Sequence, residues 1–217
     1  MNFLWLLHVY VQLLTYFSLL VEGLLFLLLE KERLKCTIQY KGELLVQKST
    51  GMPKWVKWVH HITGLIHCPE CLMLDGCWFL FEKAPIWPHH EKCHCTLEAI
   101  DYLVVMMNAT AKSDYSKFDP YLFNTMGIYL HGKEKMFEQW GYTVDDARWL
   151  QAEMERQARE KYILGEYELG KLDKHGQRIS ILIEIPRRNQ DGMVSFASGW
   201  MVKPDGELKL NTPYGGK

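Results

Sequence analysis

Two short knots hold the side chains best suited to chemistry: Cys68-Pro-Glu-Cys71 and His90-Glu-Lys-Cys93-His-Cys95. A C-x-x-C turn brings two thiolates close enough to be two corners of a tetrahedral zinc site, and an H-x-x-C-x-C run can supply the other two. The expectation is a structural zinc held by Cys68, Cys71, His90 and either Cys93 or Cys95. Five candidates compete for four places, and in an extended chain Cys93 and Cys95 point to opposite faces. A catalytic ion would need an open coordination position and a general base beside it. Glu70 and Asp75 are the nearby acids, but Asp75-Gly76 reads more simply as a turn. Free or disulfide-linked thiols are the competing interpretation.

His60, His61, His67, His89 and His94 crowd the same region. They read as surface or packing residues, with His89 and His94 the plausible substitute ligands. Trp78, Phe79, Phe81 and Trp87 are expected to build a small apolar core around the metal, because zinc modules are short of apolar area.

A second chemistry belongs to the C-terminal half. A ribonuclease would need a general base, an acid and a cation for the phosphate. The available groups are His131, Lys133, His175, Lys203, Lys209 and Thr212. None falls in a recognisable spacing. His175 sits in a turn and Lys203 at a hairpin tip, where such residues are ordinary. His131, Lys209 and Thr212 form a catalytic candidate set only if the fold brings them into one cleft.

The elements that must position these groups can be read from periodicity. Residues Trp55 to His67 lead into the first knot, expected as a short helix. Leu97 to Met107 reads as a strand or the start of a helix. Asn108 to Lys117 has little to bury and reads as a linker. A helix is expected from Lys133 to Trp140. A second starts at Thr143-Val-Asp-Asp146, a capping-box shape, and carries Ala147, Leu150, Met154, Ala158 and Tyr162 on one face before Gly165. Ile179, Ile181, Ile183 and Ile185 alternate with Ser180, Leu182 and Glu184, the period of a half-buried strand. Strands at 166–172, 193–202 and 207–210 complete the expected four-stranded antiparallel meander. The fold class is therefore α+β: a hydrophobic N-terminal helix (residues 1–40), a zinc-stapled Cys/His module (50–107), and two helices packed on the meander (113–217).

Residues Phe3 to Leu29 are almost continuously apolar, broken by His8, Gln12 and Glu22. As a helix they would extend about 40 Å, enough to cross a bilayer. No basic region precedes them and no small-x-small site follows, so the run is unlike a signal peptide. Lys31, Arg33 and Lys35 would keep the remainder cytoplasmic, while Glu22 opposes insertion. A helix packed on a partner is the alternative.

The run Cys68-Pro-Glu-Cys71-Leu-Met-Leu-Asp75-Gly76, then Pro85, Pro88, His90, Cys93, Cys95 and Thr96, resembles the C-terminal signature of phage Mu F-type minor head proteins, also called phage head morphogenesis proteins. The likeness covers about residues 55–100. It departs at Glu91 and His94, where that family usually has proline and arginine. The resemblance implies a phage-head structural role with head or portal proteins as partners. It also casts residues 1–40 as a replacement or mis-started remnant of the long helical region of such proteins, as in a decayed prophage gene. Residues 115–215, with Lys-Phe-Asp-Pro-Tyr-Leu-Phe-Asn, His131-Gly-Lys133, Gly141-Tyr142 and Leu-Asn211-Thr212-Pro213, resemble small domains at the ends of phage head proteins and bacterial polymorphic toxins. Some domains in that setting resemble barnase- or colicin-like ribonucleases.

At 217 residues and 48% hydrophobic the chain can bury a real core, and its net charge of −1 makes no overall electrostatic case for nucleic acid. Six cysteines in such a length are too sparse for a secreted disulfide scaffold. A reducing compartment, cytoplasmic or virion-associated, suits them better, with an inner-membrane anchor the alternative. The leading expectation is a prophage-derived minor head protein fragment, non-enzymatic, with a structural zinc. The rivals are a toxin-like ribonuclease acting through the C-terminal domain, and a membrane-anchored zinc protein.

Overall fold

Trp55-Val-Lys-Trp-Val59 is rich in aromatic and β-branched side chains, which suit a pleated surface, and it forms strand β1 (Trp55–Val59) where a helix was expected. The computed structural model describes residues 54–61, 68–91 and 93–215, all within the unit Ser49–Lys217. The N-terminal hydrophobic run lies outside the described residues. Among the described residues no helix is long and apolar enough to cross a membrane.

Strand β1 is the centre of a small antiparallel sheet, between β2 (Trp78–Leu80) and β3 (Thr96–Ile100). Helix α1 (Pro69–Leu74) begins directly after Cys68, with proline at its first position, where a missing N–H costs nothing. It ends at the Asp75-Gly76 turn. Asp75 Oδ1 accepts a hydrogen bond from the His60 amide at 2.9 Å, and the Gly76 amide donates to the Trp58 carbonyl at 2.8 Å. Helix α2 (Tyr102–Asn108) follows β3, capped by the Asp101 carboxylate.

The larger sheet has five strands in the order β4 (Thr110–Lys112), β8 (Glu207–Thr212), β7 (Met193–Val202), β6 (Gly176–Pro186) and β5 (Glu168–Asp173). The pairs from β5 to β8 are antiparallel, and β4 joins β8 in parallel. The sheet therefore has one strand more than expected. The extra one is the stretch read as a linker: Thr-Ala-Lys is too short to show a period, but its backbone finds partners on β8.

One face of the sheet is covered by helices α3 (Lys133–Gln139) and α4 (Ala147–Ile163). Ala147, Leu150, Met154, Ala158 and Tyr162 are buried along α4, opposite Ile179, Ile181, Ile183 and Ile185 of β6. Gln157 fixes the register of helix on strand: its amide donates to the Glu184 carbonyl at 2.6 Å and accepts from the Glu184 amide at 3.0 Å. Phe137 of α3 and Trp140, which caps its C-terminal end, pack on Phe196 of β7 with ring centroids 5.2 and 5.7 Å away.

The cysteine-bearing sheet and the larger sheet share one core. Trp55 meets Tyr162 edge to face at 4.9 Å, the Leu80 amide donates to Tyr167 Oη at 3.0 Å, and Cys77 forms an isolated bridge to Pro204.

Candidate metal centre and a second polar cluster

Helix α1 presents Cys71 inward, one turn after Cys68, and the loop before β3 returns His90, Cys93 and Cys95 to the same place. Cys71 Sγ lies 3.4 Å from His90 Nε2 and 3.9 Å from Cys93 Sγ. Two groups share Cys71: Cys68, Cys71 and His90, and Cys71, Cys93 and Cys95, with the ligand atoms of each group within 4.8 Å of one another. All five residues singled out from sequence therefore meet, with Cys71 at the centre. The opposite-face expectation for Cys93 and Cys95 does not hold, because this stretch precedes the pleat of β3 and both sulfurs turn toward Cys71.

Two histidines adjoin the cluster: His60, expected as a surface or packing residue, and His89, one of the two expected substitute ligands. His60 Nδ1 lies 3.3 Å from Cys95 Sγ, and His89 Nε2 lies 2.6 Å from Glu70 Oε2. Glu70 and His89 also form a group with Cys68. The contact of His60 with Cys95 spans 35 residues, so no local spacing announces it. His94 is exposed. The aromatic surround is partial: Trp78 and Phe79 are buried, whereas Phe81 is 39% and Trp87 36% exposed. Trp87 instead fixes the loop, donating from Nε1 to the Cys95 carbonyl at 2.9 Å.

The described cysteines are all free thiols. Burial, reinforced by Cys95 and Cys93, raises Cys71 well above its ordinary value. Burial also raises Cys95, against the pull of the Trp58 indole. At Cys93 burial opposes ionisation, but backbone hydrogen bonds from Cys95 and His89 outweigh it and the pKa falls. Crowded thiols that resist losing protons one by one are stabilised as thiolates when a cation sits among them. Cys77 is a different case. Burial pushes it up to about 12, and its Sγ contacts the carbonyls of Met73 and Val202 at 3.5 and 3.7 Å. It belongs to the core.

In the C-terminal domain His131 and Thr212 are brought together by Lys133. Lys133 Nζ donates to Thr212 Oγ1 at 2.8 Å and to Tyr121 Oη at 3.1 Å. His131 Nε2 donates to the Tyr121 carbonyl at 2.8 Å, and Nδ1 accepts from the Lys133 amide at 3.1 Å with Glu134 Oε2 3.3 Å away. Both ring nitrogens are thus spent on holding the start of α3 against Tyr121. Lys209 stays apart: it is exposed on β8, in register with Lys112 and Met201, and no hydrogen bond or ion pair joins it to the group. The expected trio of His131, Lys209 and Thr212 is replaced by His131, Lys133 and Thr212. His175 and Lys203 lie elsewhere, joined by a bond from Lys203 Nζ to the His175 carbonyl at 3.2 Å.

Fold and site together define a mixed helix-and-strand protein with two sheets and a cysteine/histidine cluster able to hold a metal ion. The chain belongs to the family described as Domain of unknown function (DUF6883), which matches residues 108–217, just over half of its length. No curated protein and no solved structure matches it.

Proposed function

We propose that the chain is a prophage-derived structural or interaction protein, resembling the C-terminal part of a Mu F-type minor head protein, whose cysteine module is stapled by one zinc ion. The observation that carries the metal reading is the pair of distances at Cys71. Around a tetrahedral zinc, two thiolates lie about 3.8 Å apart and a thiolate and an imidazole nitrogen about 3.5 Å apart. The separations of 3.9 Å to Cys93 Sγ and 3.4 Å to His90 Nε2 fit those two edges. Cys68 completes a set of three thiolates and one imidazole, a soft donor set that suits zinc. Cys95, already in contact with His60, then stands behind the ligands as a hydrogen-bond partner.

With four protein ligands the ion has no open position, so its role is structural. The module adds the small sheet to one end of the C-terminal domain, and phage head or portal proteins are the partners this reading implies. Metal analysis of the reduced full-length chain should find one zinc per chain, lost when Cys68 and Cys71 are both changed to serine; a metal-free wild type would overturn the staple. Mass spectrometry of particles released on prophage induction tests the head role, and absence of the chain from those particles would remove it.

The ribonuclease reading gains the meeting of His131, Lys133 and Thr212. It loses the acid/base histidine, because both ring nitrogens of His131 are occupied by backbone groups. A growth-inhibition and RNA-cleavage assay on the full chain separates the two readings.

A further inference from the structure

Tyr121 is approached by two ammonium groups. Lys133 Nζ lies 5.1 Å and Lys117 Nζ 5.8 Å from its ring centroid. Among the described residues neither lysine forms a close ion pair with a carboxylate, although the charge of Lys117 is a minor contributor to the lowered pKa of Asp114. Lys133 is half-buried and spends two of its three N–H donors on neutral oxygens, Tyr121 Oη and Thr212 Oγ1. Asp114 accepts from the Ser116 amide at 3.1 Å and Asp119 accepts from Thr125, while Glu134 Oε2 lies 3.3 Å from His131 Nδ1 and receives no hydrogen bond. The Tyr121 hydroxyl accepts from Lys133, and its own proton has no acceptor among the described residues.

Three donors in the group remain unused: the third N–H of Lys133, the ammonium of Lys117 and the hydroxyl of Tyr121. Two like charges near one ring repel each other, and a bound anion offsets that repulsion. A planar carboxylate would be satisfied by a two-donor fork, whereas a phosphate presents several oxygens to donors arriving from different sides.

The surroundings extend the site. Asn124 closes a tight loop, donating from Nδ2 to the Tyr129 carbonyl and accepting from the Tyr129 amide, each at 2.9 Å. The loop holds Tyr129 stacked on His131 at 5.7 Å and 11°, with Tyr121 edge-on to both at 5.1 and 4.7 Å. Aromatic rings beside cationic donors are the arrangement that holds single-stranded nucleic acid, phosphate on the cations and base against a ring. We propose that Lys117, Tyr121 and Lys133 form a phosphate subsite for the backbone of a single-stranded nucleic acid, with Tyr129 and His131 as its aromatic wall and Thr212, whose hydroxyl donates to the Tyr214 carbonyl at 2.9 Å, holding Lys133 in place. It stands independently of the metal reading, since none of its residues touches the cysteine cluster. His131 is a positioning residue in it.

Fluorescence anisotropy of the full-length protein tests this with three labelled probes: a single-stranded RNA, a DNA of the same sequence, and the DNA duplex. Lys133→Gln and Lys117→Gln should each weaken single-strand binding by about tenfold and flatten its salt dependence by about one phosphate contact. Lys133→Arg, which keeps the charge, should retain most of the affinity, and equal melting temperatures exclude a folding defect. Equal binding of RNA and DNA assigns recognition to the phosphate, and tighter RNA binding adds a contact to the 2′-hydroxyl; both support the site. No binding of either single strand, an unchanged affinity in both glutamine variants, or equal affinity for the duplex would each overturn it.

Discussion

Tyr162, on the buried face of helix α4, donates a hydrogen bond from its hydroxyl to the carbonyl of Trp78 at 2.6 Å. The pair spans 84 residues of sequence and joins the sheet that carries the cysteine cluster to the helix that covers the larger sheet. Tyr162 is completely buried, and burial holds its phenol neutral well above the ordinary tyrosine range. Tyr162→Phe leaves the Trp78 carbonyl dry and unpaired, so it should cost about 1–3 kcal/mol in urea denaturation. A cost near zero would mean that this joint contributes nothing to stability.

The five cysteine and histidine candidates should not be equal. Cys71 belongs to both ligand groups, so Cys71→Ser should abolish zinc retention in metal analysis. Cys93→Ser should weaken it by at least about tenfold, as loss of a direct ligand does, and Cys95→Ser less, as loss of a hydrogen-bond partner does. The reverse order for Cys93 and Cys95 would reassign the fourth ligand.

Gly206, with φ +77°, sits under Trp78 so closely that an added Cβ would come within 2.6 Å of indole Cε3. Gly206→Ala therefore combines backbone strain with a clash against a rigid ring, and should destabilise by about 2–4 kcal/mol. Gly192 has φ +115° and nothing within 4 Å, so Gly192→Ala should cost only its conformational term, about 1 kcal/mol. Chemical denaturation of the two variants side by side separates strain from contact.

Glu153 and Arg156 give a small pH dependence. Hydrogen bonds from Arg156 hold the Glu153 carboxyl below its ordinary 4.5, against a smaller opposing effect of burial. A carboxyl depressed on folding stabilises above the unfolded-state value, and that contribution is lost as pH falls through the folded-state value. Arg156 is 53% exposed, which limits the pair to about 0.5 kcal/mol. Arg156→Ala should therefore show its deficit at pH 7, lose it progressively as pH falls below the ordinary 4.5 and through the lowered folded-state value, and lose part of it in 1 M salt.

Much of this was legible because the signals are local. The isoleucines of β6 alternate within seven residues, the buried stripe of α4 repeats every three or four, and each cysteine knot fits in one turn or loop. What escaped depends on distance. Strand β4 is three residues with no apolar pattern, and it exists because β8 offers it a backbone ladder almost a hundred positions later. Lys133 and Thr212 meet across 79 residues, and no spacing rule reaches that far. Lys209 looked equivalent to Lys133 in sequence, yet only Lys133, at the start of α3, reaches Thr212 at the end of β8. His60 belongs beside Cys95 because β1 and β3 are neighbours, and β1 itself, with aromatic and β-branched residues that favour a strand, is a signal the helix expectation passed over.

The parallel edge formed by Thr110–Lys112 also sets how this domain can be moved between proteins. The family match opens at residue 108, just ahead of that strand. A graft beginning at residue 113 would leave β8 with a bare rim of amide and carbonyl groups, available for pairing with another chain. A graft beginning at 108 carries its own border. The start of the family match therefore coincides with the point that keeps this sheet margin closed.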